Sequence, residues 1–139
     1  MNSEQIALEE VEKQLLQRGC SITRRPRNSP DGDIHAMKGD KRIRLEVKGL
    51  EKRNGVWLTK RQVSAVDLIV IYVVEDNDVW VLSRLEAHNL LEDYQNDFKR
   101  RHGRLPAQEG FNKSQFTKPT GWEPLDHFLR VRNTKFRIS

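Results

Sequence analysis

A chain of 139 residues suits one domain with a modest core, and its 36% hydrophobic and 32% charged residues indicate a polar surface. No apolar run approaches the ~20 residues needed to cross a bilayer, and Glu and Gln interrupt the N-terminus at once, so neither a membrane span nor a signal peptide is expected. The single cysteine, Cys20, excludes an internal disulfide and fits a reducing cytoplasm, while the net charge of +5 suggests an anionic partner.

In chain order, the spacing first predicts a helix capped by Ser3 and ended by Gly19 at C′. Leu8, Val11 and Leu15 form its apolar stripe, with Ala7 and Leu16 at the margins. Glu9 and Glu12 fall on the flank beside Leu16, and Glu10 points away. Residues 20–24 read as a short strand, with Cys20 as a small core residue. Arg24, Arg25 and Arg27 make a small basic cluster, and Asn28 to Gly32 form a turn.

The next stretch carries the chemistry. In Arg42 to Lys48, Ile43, Leu45 and Val47 alternate with Arg44, Glu46 and Lys48, so apolar and charged residues take opposite faces of a strand. Upstream, Ile34 and Ala36 alternate with Asp33, His35 and Met37. A two-residue turn at Gly39-Asp40, of the type that favours Gly first, pairs Lys38 with Lys41. Ile34 then meets Leu45, Ala36 meets Ile43, and Asp33 lies opposite Glu46. A three-residue loop would set Asp33 against Val47 and break the match of apolar faces. Two facing carboxylates repel unless a cation lies between them. Oxygen ligands with few protein side chains suit Mg²⁺ or Mn²⁺. Lys48 faces the same way and is placed to orient a water or steady charge on a phosphate. The competing account is a hairpin face of solvated charges.

Downstream, residues 56–58 lead to Thr59, an N-cap for a short helix through Ala65 that carries Lys60, Arg61 and Gln62. Asp67 to Val74 is nearly continuous apolar, as a strand buried on both faces would be. A turn at 75–78 precedes a strand from Val79 to Leu82, and Ser83 caps a helix from Arg84 to about Leu91. The charge then shifts. Residues 1–98 hold 15 basic and 17 acidic side chains, and residues 99–139 hold 10 and 3. Lys99, Arg100, Arg101 and Arg104 form one basic cluster, and Arg130, Arg132, Lys135 and Arg137 another. Such clusters match a phosphate backbone. Phe111, Phe116, Trp122, Phe128 and Phe136 argue that this basic extension packs on the core, and residues 121–129 read as a docking helix. The four histidines lack metal-ligand spacing, and no Gly-rich phosphate loop is present, so no nucleotide cofactor is expected. His35 shares the face of Asp33.

The segment Asp33-Ile34-His35-Ala36, with Glu46-Val47-Lys48, resembles the PD-(D/E)xK nuclease superfamily, in particular its archaeal Holliday-junction resolvases and Mrr-type restriction endonucleases. Pro30-Asp31 supplies a literal Pro-Asp, but Asp33 is preferred to Asp31 because it faces Glu46. The resemblance spans residues 6–85 and is concentrated in 31–49. It implies an α/β fold with a restriction-endonuclease-like core (residues 1–98), a mixed sheet flanked by helices, to which the basic C-terminal extension (99–139) is added as part of one domain. It further implies that Asp33, Glu46 and the Val47 backbone carbonyl bind Mg²⁺ or Mn²⁺, and that Lys48 positions the nucleophilic water. A glutamate from the first helix joins the site in many relatives. Alignment puts that position at Leu8 or Glu9, which makes Glu9 a candidate with Glu12 behind it. Gln62 matches a glutamine often found after the Glu-x-Lys strand.

The expected activity is therefore metal-dependent hydrolysis of DNA phosphodiester bonds, leaving a 5′-phosphate and a 3′-hydroxyl. Arg25, Arg27, Lys60, Arg61, Arg100, Arg101 and Arg104 are the candidate DNA contacts, and a homodimer is the expected partner arrangement. A structure-selective, resolvase-like nuclease, a restriction or repair nuclease for linear duplex, and a non-catalytic nucleic-acid-binding module remain as alternatives. RNA also remains open as a substrate.

Overall fold

The computed structural model describes residues 2–116 and 118–130. Arg132, Lys135, Phe136 and Arg137, expected in the second basic cluster and the packed extension, lie outside the described residues.

The first helix, α1 (Ser3–Gln17), is capped by Asn2, whose side chain accepts from the Gln5 amide. The cap is thus one residue earlier than Ser3, whose hydroxyl instead donates to the Gly49 carbonyl at 3.3 Å. Gly19, at φ +82°, follows the C-cap as the sequence predicts. Ala7, Val11 and Leu15 are fully buried, Leu8 is half-buried and Leu16 is exposed. The buried stripe is therefore centred on Ala7, rotated from the expected one. The reason is a close approach of α1 to the sheet at Gly49. A Cβ there would come within 2.2 Å of the Ser3 carbonyl oxygen and 2.9 Å of the Ala7 Cβ.

Strands β1 (Ser21–Arg24), β2 (Ile34–Lys38) and β3 (Lys41–Leu50) form an antiparallel meander. The β2–β3 register pairs Ile34 with Leu45, Ala36 with Ile43 and Lys38 with Lys41. Gly39 has φ +60° and Asp40 does not enter the positive region, as a Gly-first type II′ turn requires. After a two-residue strand, β4 (Val56–Trp57), the helix α2 (Lys60–Ser64) carries the chain back to β5 (Leu68–Val73). β5 runs parallel to β3 and is buried along its whole length. β6 (Asp78–Ser83) completes a five-stranded mixed sheet of order β1-β2-β3-β5-β6.

One face of the sheet packs on α1, with Ile34, Ile43, Leu45, Val47 and Val70 in that layer. The other face carries Ile69, Ile71, Trp80 and Leu82 beneath α2 and α3 (Arg84–His102). Ser83 caps α3 with Glu86 in a reciprocal capping box. α3 runs well beyond the Leu91 expected, through the 98/99 charge division, and ends at Gly103 in the left-handed region. Residues 92–102 offer little apolar periodicity. The turn is held by Asp97 pairing with Arg100 and Arg101, and by Phe98 stacking on His102 at 4.3 Å.

The chain after α3 returns to the core. β7 (Gly110–Phe111) pairs antiparallel with β4. α4 (Glu123–Arg130) buries Leu125 in the α1 layer, in the place expected for a docking helix. No described helix is long and apolar enough to cross a membrane.

Candidate active site

The positions of Asp33 and Glu46 follow from one glycine and one register. Gly32 has φ +100°, and a Cβ on it would lie 2.8 Å from both the Leu45 carbonyl oxygen and Val66 Cγ1. Only glycine lets the chain turn this tightly against β3. The Asp33 amide then donates to Leu45 O at 2.8 Å, and its carbonyl accepts from the Arg25 amide at 2.8 Å. The Asp33–Leu45 bond is offset by one residue from the β2–β3 pairing, whose last partners are Ile34 and Leu45, so Asp33 lies just before β2 and outside the regular ladder, with its side chain brought beside Glu46 and Val47. Its carboxylate accepts from the Val47 amide at 2.7 Å and hydrogen-bonds the Glu46 side chain. Val47 points its N–H toward the Asp33 edge, and a strand residue's carbonyl points to the same edge as its N–H.

Glu46 is the one buried charged residue among the described residues, at 6% exposure. Burial raises its carboxyl pKa from 4.5 to about 7, and the neighbouring Asp33 charge raises it further within that value. Lys48 opposes the shift from 3.5 Å away. Without a cation Glu46 keeps its proton up to about pH 7, because a negative charge beside Asp33 in a poorly solvated place is costly. A divalent cation relieves that repulsion without the proton, so the donor set fits Mg²⁺ or Mn²⁺. Among the described residues no group of three His, Cys, Asp or Glu side chains gathers. An ion here would draw on two carboxylates, with water and phosphate oxygens completing its shell, which is the habit of Mg²⁺.

Asp33, Glu46, Lys48, Gln62, Arg25 and Arg27 all line one cleft of about 420 Å³. The Thr59–Gln62 capping box uses the Gln62 side-chain oxygen, which accepts from the Thr59 amide at 2.9 Å. The Gln62 amide NH₂ is therefore the end offered to the cleft. The far wall is the first turns of α1, with Glu4, Gln5 and Leu8.

Glu9 is exposed, accepts from Gln5 Nε2 at 3.3 Å, and does not line the cleft. Glu12 is held by Arg24 in a two-pronged pair at 2.6 and 3.0 Å. The structure thus does not bring either expected glutamate to the site. The same rotation of α1 that buries Ala7 turns Leu8 toward the cleft and Glu9 away. Sequence reasoning missed Glu4 and Gln5. The signal available for them was Gly49, which fixes where α1 touches β3.

The other candidates divide. Asp31 pairs with Arg25 at 3.4 Å and lies outside the cleft lining, leaving Asp33 as the cleft carboxylate. His35 bonds the Asp31 carbonyl at 2.9 Å and lines a separate hollow with Arg25 and Met37. Lys60 extends to Gln95 at 3.2 Å, and Arg61 is exposed on α2. Arg100 and Arg101 pair with Asp97, and Arg104 lies 5.2 Å over the Phe98 ring, so none of the three lines the cleft.

No family model and no curated protein matches the sequence. Among the solved structures that match the fold are two at 14% identity. A bacterial homing endonuclease, I-Ssp6803I, superposes with a TM-score of 0.52 over 91% of this chain and 88% of its own. The Holliday junction resolvase Hjc of Archaeoglobus fulgidus superposes with a TM-score of 0.53 over 79% of this chain and 88% of its own. With its helix-flanked mixed sheet, the chain has the restriction-endonuclease-like fold.

Proposed function

We propose that the protein is a divalent-metal-dependent endodeoxyribonuclease that hydrolyses phosphodiester bonds, with selectivity for branched DNA of the resolvase kind. The observation that carries this reading is the convergence of Asp33, Glu46 and Lys48 in one cleft that Arg25 and Arg27 also line. One structural neighbour is described as a homing endonuclease and the other as a Holliday junction resolvase, which supports the same class of chemistry.

Asp33 and Glu46 would hold Mg²⁺ or Mn²⁺, with the Val47 carbonyl on the same edge. The ion, when bound, supplies Lewis-acid polarisation of the scissile phosphate and a lowered water pKa. The Val47 amide holds the Asp33 carboxylate in place, so one donor is preorganised before any ligand arrives. Lys48 is close enough to Glu46 to be held by it, and its ammonium orients the attacking water and offsets charge gathering on the phosphate. The Gln62 amide donates to a water or a phosphate oxygen. Arg25 and Arg27 seat the DNA backbone beside the scissile bond, contacts that position the strand without reading sequence. Arg100 and Arg101 at the end of α3, and Arg104 just beyond it, would offer further cations to a phosphate backbone. Cutting both strands of a duplex calls for two such sites, and a homodimer supplies them. A solution mass of one chain during full activity would remove that part of the reading.

The test is cleavage of labelled four-way junction, flap, linear duplex and single-stranded DNA in Mg²⁺ or Mn²⁺, beside Lys48→Ala. Cleavage of the branched substrates that vanishes in the variant is expected. Salt-sensitive DNA binding by both proteins with cleavage by neither would instead identify a binding module on this fold.

A further inference from the structure

A second depression, about 510 Å³, lies outside the cleft just described. Its aromatic walls are Trp57, Tyr94 and Phe111, and its polar edges are Asn54, Asn112 and Lys113. No described residue lining it is acidic. Trp57 is 62% exposed, an unusual position for the largest apolar side chain. Its ring is nonetheless held in place. It stands on β4 opposite Gly110 of β7, and a Cβ on Gly110 would approach Trp57 Cε3 to 3.1 Å. The β4–β7 ribbon is fastened to the start of α2, because Leu58 N donates to Glu109 O at 3.1 Å and Lys60 N to Glu109 Oε1 at 3.0 Å.

Three features identify a ligand chemistry. An exposed indole beside the half-buried Tyr94 ring, backed by the buried Phe111, is a stacking platform for a planar ring. The Asn side chains offer both donors and acceptors, as the edge of a heteroaromatic base requires. The lining itself carries Lys113 and no carboxylate, which suits a backbone phosphate at that edge, while Asp93 and Asp97 line the adjoining hollow that shares Tyr94, Asn112 and Ser114. The segment 56–62 also carries Gln62 into the catalytic cleft. Trp57 and Gln62 are five residues apart, so their Cα atoms lie within about 17 Å of each other. At about 3.4 Å per nucleotide along a stacked strand, this reach covers roughly five nucleotides.

We propose that this cavity receives an unpaired nucleobase of the DNA substrate, stacked on Trp57, within about five nucleotides of the scissile phosphate. The proposal rests on the nuclease reading above and deepens it. Bases are available to such a cavity only where pairing is interrupted or easily broken, so the cavity favours branch points, flaps and mismatches over continuous duplex.

The experiment compares wild type, Trp57→Ala and Trp57→Phe. Binding is measured in EDTA with 2-aminopurine placed at an unpaired position of a flap, and in parallel in a fully paired duplex; cleavage of both is measured in Mg²⁺. Wild type should quench the unpaired probe and bind the flap more tightly. Trp57→Ala should lose the quenching and weaken flap binding roughly 5- to 100-fold. Its binding to paired duplex should stay within about twofold, and Trp57→Phe should restore most of the flap preference. Because Trp57 is exposed, an unchanged thermal melt is expected for both variants. Equal flap and duplex binding by wild type and Trp57→Ala, with no change in the probe, would overturn the proposal. If that happens while cleavage persists and still depends on Lys48, the nuclease reading survives alone. If no DNA is bound at all, both fall.

Discussion

The charged cleft and the aromatic cavity sit at either end of one short segment, residues 56–62, and are built in opposite ways. The cleft is made by a hairpin whose strands are joined by two residues, and its side chains are charged and mutually dependent. Glu46 beside Asp33 is tolerable only because Lys48 and a proton or cation share its surroundings. The cavity is made largely by β4 and β7, which come from distant parts of the chain, and its walls are aromatic rings edged by asparagines and a single lysine. The contrast separates two jobs. Buried charge in a fixed register performs chemistry, and exposed ring surface can only bind. Disturbing the cleft should therefore change rate and stability together, whereas disturbing the cavity should change substrate preference alone.

The largest expected effect is on the chemical step. Glu46→Gln should reduce cleavage by about 10³-fold or more, the scale of a lost metal contact, while DNA binding persists. Single-turnover rates beside binding isotherms would check this, and normal cleavage by the variant would refute the role given to Glu46. Next in size is a backbone effect. Gly32→Ala forces a side chain into the left-handed region and against the Leu45 carbonyl, so it should destabilise the fold by about 3 kcal/mol and displace Asp33. Denaturant titration and the cleavage rate should fall together. A Gly49→Ala variant serves as a comparison, because it lifts α1 rather than moving Asp33.

The third effect is electrostatic. In the folded chain Glu46 keeps its proton up to about pH 7, and in the unfolded chain only to its ordinary 4.5. The folded state therefore binds more protons between these values. The associated stability is full below pH 4.5 and is lost as pH rises through 7. In metal-free buffer, raising the pH from 5 to 8 should cost about 2 kcal/mol at this site. Thermal melts of wild type should show this slope and those of Glu46→Gln should lack it. Mg²⁺ should restore stability most strongly above pH 7, where it no longer competes with the proton. The smallest effect belongs to the rim. Arg25→Ala and Arg27→Ala should each weaken DNA binding modestly and reduce the salt dependence of log K by about one, without altering the preference for branched DNA. That last point sharpens the contrast with Trp57→Ala, which should alter preference and leave the salt slope unchanged.

Much of the cleft was legible in the sequence. The β2–β3 register followed from matching Ile34 and Ala36 to Leu45 and Ile43. The Asp33 and Glu46 side chains do meet, but through the Gly32 turn, which takes the Asp33 amide to Leu45 and out of the regular ladder. The caps at Thr59 and Ser83 were legible too, since each is a bond between residues three apart. The helix contribution was not. Glu9 was the natural candidate by alignment, yet α1 turns Glu4, Gln5 and Leu8 to the cleft. That rotation is set by the contact of Ser3 and Ala7 with Gly49, a pairing no helical periodicity encodes.

Local rules in the sequence, the alternation of faces, the two-residue turn and the caps, determined the strand pair, the two carboxylates and the lysine. Each such rule is satisfied by neighbours in the chain, so it survives whatever the rest of the molecule does. Only the tertiary structure decided which face of α1 meets the site, how far α3 extends, and that β7 returns to β4 to enclose a cavity beside Trp57. These depend on contacts between remote segments, where the outcome is set by which surfaces pack most closely and not by any pattern within one segment.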